Sequence, residues 1–169
     1  MRRAGPAALI VMAVALVASG CAVHGLAFRT DDRVAIVAPH AESTVALPLT
    51  LRWNVKSLPD LGAAVSGRPT GFAVFVDRQP IRPGQTLRSV ADDQCKRTPG
   101  CPDASWLADR YIFTTTSTSL RIDGVPADNQ GERFGRGHGH EATIVLVDSG
   151  GRRIGESSFA VDFFLRGAP

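Results

Sequence analysis

The chain has 169 residues, of which 44% are hydrophobic and 21% charged, with a formal net charge of +3. That length suits one domain with a real core. Two of the positive charges, Arg2 and Arg3, stand at the very N-terminus; without them about +1 remains, too little to argue for nucleic acid or an anionic lipid surface as partner.

In the leader, Ala7 to Val17 form an uncharged apolar run behind Arg2 and Arg3. The small residues Ala18, Ser19 and Gly20 then lead to Cys21. This is the physical order of a secretory signal peptide over residues 1–20, and the run is shorter than the ~20 residues that usually span a bilayer. Ala18-Ser19-Gly20-Cys21 resembles the lipobox of bacterial lipoproteins, a family that usually has Leu where Ala18 stands. The resemblance implies cleavage before Cys21, a diacylglycerol on its thiol, and a protein anchored by that lipid at the extracytoplasmic face of the cell membrane. Two other readings stay open: an ordinary signal peptidase cutting after Gly20 to leave a soluble protein, and a segment retained uncleaved as an anchor.

Residues 21–32 show no clear period and read as a tether to a domain over 33–166. Strand signals then follow in series. Arg33 to Val37 is short and β-branched, and Pro39 to Val45 reads as a polar connection. Leu49, Leu51, Trp53 and Val55 alternate with Thr50, Arg52 and Asn54, the period of two expected of a half-buried strand. Leu58 to Thr70 reads as a loop. Gly71 to Asp77 is a nearly continuous apolar strand, with Phe72, Val74 and Val76 on one face and Ala73 and Phe75 on the other.

Arg88 to Asp109 reads as an irregular insertion or long loop with a short helix near Ala104 to Ala108. It carries Asp92-Asp93, which look like solvated loop charge, and CKRTPGC. With Cys21 acylated, Cys95 and Cys101 remain. An oxidising compartment favours a disulfide between them, with Pro99-Gly100 turning the chain. A metal-binding pair prefers a shorter spacer and further ligands, and no other cysteine is available. Tyr111 to Thr116 and Ser119 to Ile122 are strands, and Asp123 to Gly139 is a second long loop. Ala142 to Val147 and Ser158 to Leu165 close the chain, joined through a turn at Asp148-Ser149-Gly150-Gly151.

About seven strands, turn-rich connections and no long helix point to an all-β antiparallel sandwich with two long loops. RVAIVAPHAESTVALPLTLRW followed by GFAVFVDRQPIRPG resembles the first three strands of an immunoglobulin-like, fibronectin III-type domain, with Trp53 as the buried Trp of the second strand. ATIVLVDSGGRRIGESSFAVDFFL resembles its closing hairpin. The antibody-type disulfide between sheets is absent, because Cys95 and Cys101 are too near in sequence.

No constellation supports an enzyme. The string DSGG also surrounds the nucleophile of chymotrypsin-like proteases, but Val147 stands where that family has Gly, and the chain is too short for two barrels. The nucleophile elbow, a phosphate-binding Gly loop and H-E-x-x-H are missing. His138 and His140 can share one side of an extended chain, so with His40 or Glu141 they form a candidate copper or zinc site. The competing reading makes both histidines exposed polar residues ahead of the strand at Ala142. The expected role is therefore a non-enzymatic binding or envelope interaction module with an unknown protein partner, and metal carriage is the alternative. The two long loops are the expected binding elements, with Phe134 between Arg133 and Arg136 as the candidate contact.

Overall fold

The computed structural model describes residues 33–56, 71–126 and 139–166. Eight strands form a three-stranded sheet ordered β1-β3-β6 and a five-stranded sheet ordered β2-β8-β7-β4-β5. They are β1 (Val34–Ala38), β2 (Ser43–Val45), β3 (Leu49–Val55), β4 (Gly71–Val76), β5 (Ile112–Thr115), β6 (Ser119–Ile122), β7 (Gly139–Val147) and β8 (Phe159–Leu165). The protein is an all-β sandwich. β1, β3 and β6 share one sheet while β4, β7 and β8 share the other.

Alternation along the strands explains which faces meet. β3 buries Leu49, Leu51 and Trp53 and exposes Thr50, Arg52 and Asn54. β8 buries Phe159, Val161 and Phe163. These side chains join Phe72, Val74, Val76, Ile144 and Leu146 in the layer between the sheets. At its centre Trp53 of one sheet meets Phe72 of the other edge-on, with ring centroids 5.2 Å apart and planes at 71°, a favoured aromatic geometry.

Two parts of the fold differ from the sequence reading. The stretch read as a polar connection contains β2, which pairs in parallel with β8, so the sandwich is not antiparallel throughout. Hydrogen bonds from Glu42 N to Asp162 O and from Arg166 N to Val45 O, each 2.7 Å, extend that pairing. Three residues are too few to show a period, and the strand exists because β8 offers it an edge.

The second difference concerns the insertion. It holds a 3-10 turn at Leu87–Val90, helix α1 (Asp93–Arg97) and helix α2 (Ala104–Ala108). Rather than a free loop, it is a lid over the outer face of the five-stranded sheet. Leu87 and Leu107, with Ile81, pack on Ala73, Phe75, Ile112, Val145 and Val147 in a second apolar cluster. β4 therefore has no solvent side, and Phe72 to Val76 are all buried. A strand covered on both faces reads as a continuous apolar run for this reason. Leu107→Ala is expected to cost about 2–4 kcal/mol of stability in chemical denaturation, as a core truncation does; a cost within ~0.5 kcal/mol, typical of a surface site, would show that the insertion is not packed.

Candidate functional site

The insertion, the start of β4, the end of β5 and the turn after β7 enclose a pocket of about 720 Å³, within the range of ligand sites. Its walls come from segments distant in sequence. Leu87, Arg88, Pro102 and Leu107 belong to the insertion, Thr114 to Thr116 to the end of β5, and Asp148 to Gly151 to the turn.

Each wall is fixed by local chemistry. In the turn, Asp148 Oδ1 accepts hydrogen bonds from Gly150 N at 2.8 Å and Arg152 N at 2.9 Å, the side-chain-to-backbone pattern that makes Asp a turn residue. Gly151 adopts φ +70°, and a Cβ there would sit 3.2 Å from Leu87 Cδ1. The positive φ favours glycine there, and any Cβ would also have to push the Leu87 side chain aside by a few tenths of an ångström. The turn is tied to the insertion by Leu87 N donating to Gly151 O at 2.9 Å and by Arg152 Nη1 donating to Gly84 O at 2.6 Å. Ser149 thus stands in a turn, and no histidine is among the described residues lining the pocket. Beyond it, Arg153 is buried and donates to Ile81 O at 2.6 Å and Glu156 O at 2.7 Å. Desolvation holds its pKa below the usual arginine value, against the opposing pull of Glu156.

The insertion is stapled. Cys95 and Cys101 form a disulfide with Cα atoms 5.2 Å apart, inside the normal range, and Gly100 supplies the turn between them with φ +81°. Asp92 and Asp103 are N-caps: their carboxylates accept from Cys95 N and Trp106 N, each at 2.8 Å. Asp92 is therefore more than loose loop charge, and it also pairs with Arg110 at 3.1 Å. The guanidinium of Arg110 stacks 3.5 Å from the centre of the Trp106 ring, a cation–π contact. Arg88, at the pocket rim, donates to Lys96 O at 2.7 Å.

His140 is placed differently from the expectation of an exposed pair. β7 begins at Gly139 instead of Ala142, and His140 is a buried member of it, 7% exposed. Its ring lies 5.7 Å from that of Phe163. Nδ1 donates to Asp77 Oδ2 at 2.7 Å, and Asp77 Oδ1 accepts from Glu141 N at 2.8 Å. Asp77 reaches both because its backbone turns left-handed at φ +53° just after β4, a conformation Asp tolerates better than most residues.

The other candidate metal ligands lie apart from this pair. Glu141 is the next residue on the strand and so points to the opposite face, where it accepts from Thr143 Oγ1 at 2.9 Å. His40 is exposed in the β1–β2 connection, and its carbonyl accepts from Ser43 N and Oγ. Among the described residues no group of three or more His, Cys, Asp and Glu side chains could hold a metal ion. His138, Cys21, Arg133, Phe134 and Arg136 lie outside the described residues.

The pocket itself was missed in the sequence. Thr114-Thr115-Thr116 reads there as ordinary strand, and nothing local announces that the DSGG turn and the disulfide loop converge. In comparisons with protein-family models, curated proteins and solved structures, no match to this chain was found.

Two outcomes follow from this geometry. Asp77→Ala leaves the buried His140 Nδ1 and Glu141 N without an acceptor and is expected to cost about 1–3 kcal/mol in chemical denaturation. Asp77→Asn, which keeps an acceptor for Glu141 N, should recover part of that loss. The carboxyl of Asp92 is held below 3.8, chiefly by the Cys95 N–H and also by Arg110, against partial desolvation. Its contribution to stability is present above that value and is lost as pH falls through the lowered native pKa. The melting-temperature gap between the unaltered chain and Asp92→Ala should therefore narrow as pH falls below 3.8 and through the lowered native pKa; a gap that does not change with pH would contradict the ionised cap.

Proposed function

We propose that this chain is an exported, lipid-anchored module of the cell envelope that binds a partner and has no chemistry of its own. The pocket under the disulfide-stapled insertion carries this reading. A rigid sandwich holds its walls, and a staple of this kind suits an oxidising, extracytoplasmic compartment. The leader over residues 1–20 and the lipobox-like Ala18-Ser19-Gly20-Cys21 supply the export and the anchor.

Binding rather than catalysis fits the chemistry of the lining. Asp148 is its one carboxylate among the described residues, and Oδ1 is spent on two backbone N–H groups. The described lining residues offer hydroxyls, backbone groups and one guanidinium, groups of the kind that orient a bound ligand.

The anchor is tested in the bacterial envelope. Metabolic labelling with a radiolabelled fatty acid should mark the unaltered protein. Cys21→Ala should abolish the label and move the protein from the membrane to the soluble fraction. Labelling that survives Cys21→Ala refutes the lipid anchor.

A further inference from the structure

We propose that the open edge of β5 takes up an extended, acidic peptide of a partner protein as an added strand, with one of its side chains entering the neighbouring pocket. This deepens the binding-module reading and rests on it.

The register settles which backbone groups face outward. β4 and β5 run antiparallel with Phe72 opposite Thr115 and Val74 opposite Phe113. Val76 N donates to Tyr111 O at 3.0 Å, which makes Val76–Tyr111 a hydrogen-bonded pair. Such pairs alternate along an antiparallel ladder, so Tyr111, Phe113 and Thr115 turn their N–H and C=O groups toward β4. The N–H and C=O groups of Ile112, Thr114 and Thr116 face away from the sheet; Ile112 is buried under the insertion, so the exposed part of the edge is Thr114 and Thr116. No backbone hydrogen bond to these outward groups is made among the described residues.

The other edges are blunted in ways that natural sheets use against strand addition. β2 has three residues. β1 carries a register shift between Ile36 and Ala38. On β6, Trp53 N donates to Thr118 O, so Ser119 and Arg121 are the outward residues, and Arg121 is a charge paired with Asp123 at 2.7 Å. β5 has neither a bulge, nor a charge, nor a proline.

The pocket lies along this edge. Thr114 and Thr116 are exposed and line it, so a strand laid against β5 would place alternate side chains at its mouth. Recognition by strand addition works in this way: main-chain hydrogen bonds give affinity, and pockets for alternate side chains give specificity. The sign of the peptide comes from Arg88. It is the one basic side chain among the described lining residues, and it donates to the carbonyl of Lys96, with no carboxylate in ion-pair range among the described residues. A partner carboxylate would complete it.

The full chain, immobilised, is panned against phage-displayed linear peptides, and enriched peptides are synthesised for affinity measurement. Expected are acidic peptides that bind the unaltered chain and slow the amide exchange of the exposed Thr114 and Thr116. Thr114→Pro removes one outward N–H, which an edge strand tolerates, and should weaken binding about tenfold. Arg121→Pro, at the outward edge of β6, should leave it unchanged. The amide-exchange measurement on the unaltered chain keeps the test decisive if Thr114→Pro unfolds. The proposal is overturned by any of four results: enrichment no greater than on folded Thr114→Pro, enriched peptides without a carboxylate, no protection of the Thr114 and Thr116 amides, or a dimer of the chain that Thr114→Pro dissociates. That last result would assign the edge to a second copy. Acylation of Cys21 is scored separately and requires no peptide, so failure of one test leaves the other readable.

Discussion

The constraint on which the rest of this structure depends is that β4 is buried on both faces. A sandwich strand ordinarily turns one face to water, and β3 does so with Thr50, Arg52 and Asn54. β4 offers Phe72, Val74 and Val76 to the layer between the sheets and Ala73 and Phe75 to the other side. Something must cover the second face, because exposed apolar area of that kind opposes folding by roughly 25 cal/mol per Å². The insertion provides that cover, and the remaining features follow from holding it there. Asp92 and Asp103 cap its helices, the Cys95–Cys101 disulfide closes its loop, and backbone bonds fasten its start to the turn after β7. The pocket is the space left where this lid meets the end of the sheet.

How much of this could be read from the sequence depended on range. The alternation in β3 and β8 is local, and those strands were legible with their faces. The cysteine pair and the short helix at Ala104–Ala108 were legible for the same reason, since a spacing and a few neighbours carry the signal. β2 was not legible, because its three residues become a strand only against β8, more than a hundred positions away. The lid was equally hidden: Ile81, Leu87 and Leu107 follow no common period, so nothing marked them as one apolar surface.

His140 shows the same limit at the level of one side chain. Preceded by Gly137-His138-Gly139, it reads as a residue at the end of a loop, exposed or else available to a metal. Its fate is decided by Asp77, a residue that itself reads only as the polar end of an apolar strand. The left-handed backbone of Asp77 swings its carboxylate onto β7 to accept from His140 and from the next N–H together. A buried imidazole needs such a partner, and no pattern in either segment names the other. The string Asp148-Ser149-Gly150-Gly151 was the reverse case: its turn chemistry was legible, and its place in the wall of a pocket was not.

The two-sided burial of β4 also bears on the chain before it is folded. GFAVFV is six residues long, apolar, β-prone, and free of charge and proline, which is the composition of segments that stack into fibrils when left exposed. Asp77 and Arg78 stand directly after it, where charged residues act as gatekeepers against such stacking. Until the insertion closes over the sheet, one apolar face of this segment has no cover. The lid that shapes the pocket in the folded protein thus also covers the segment most prone to stack while the chain folds.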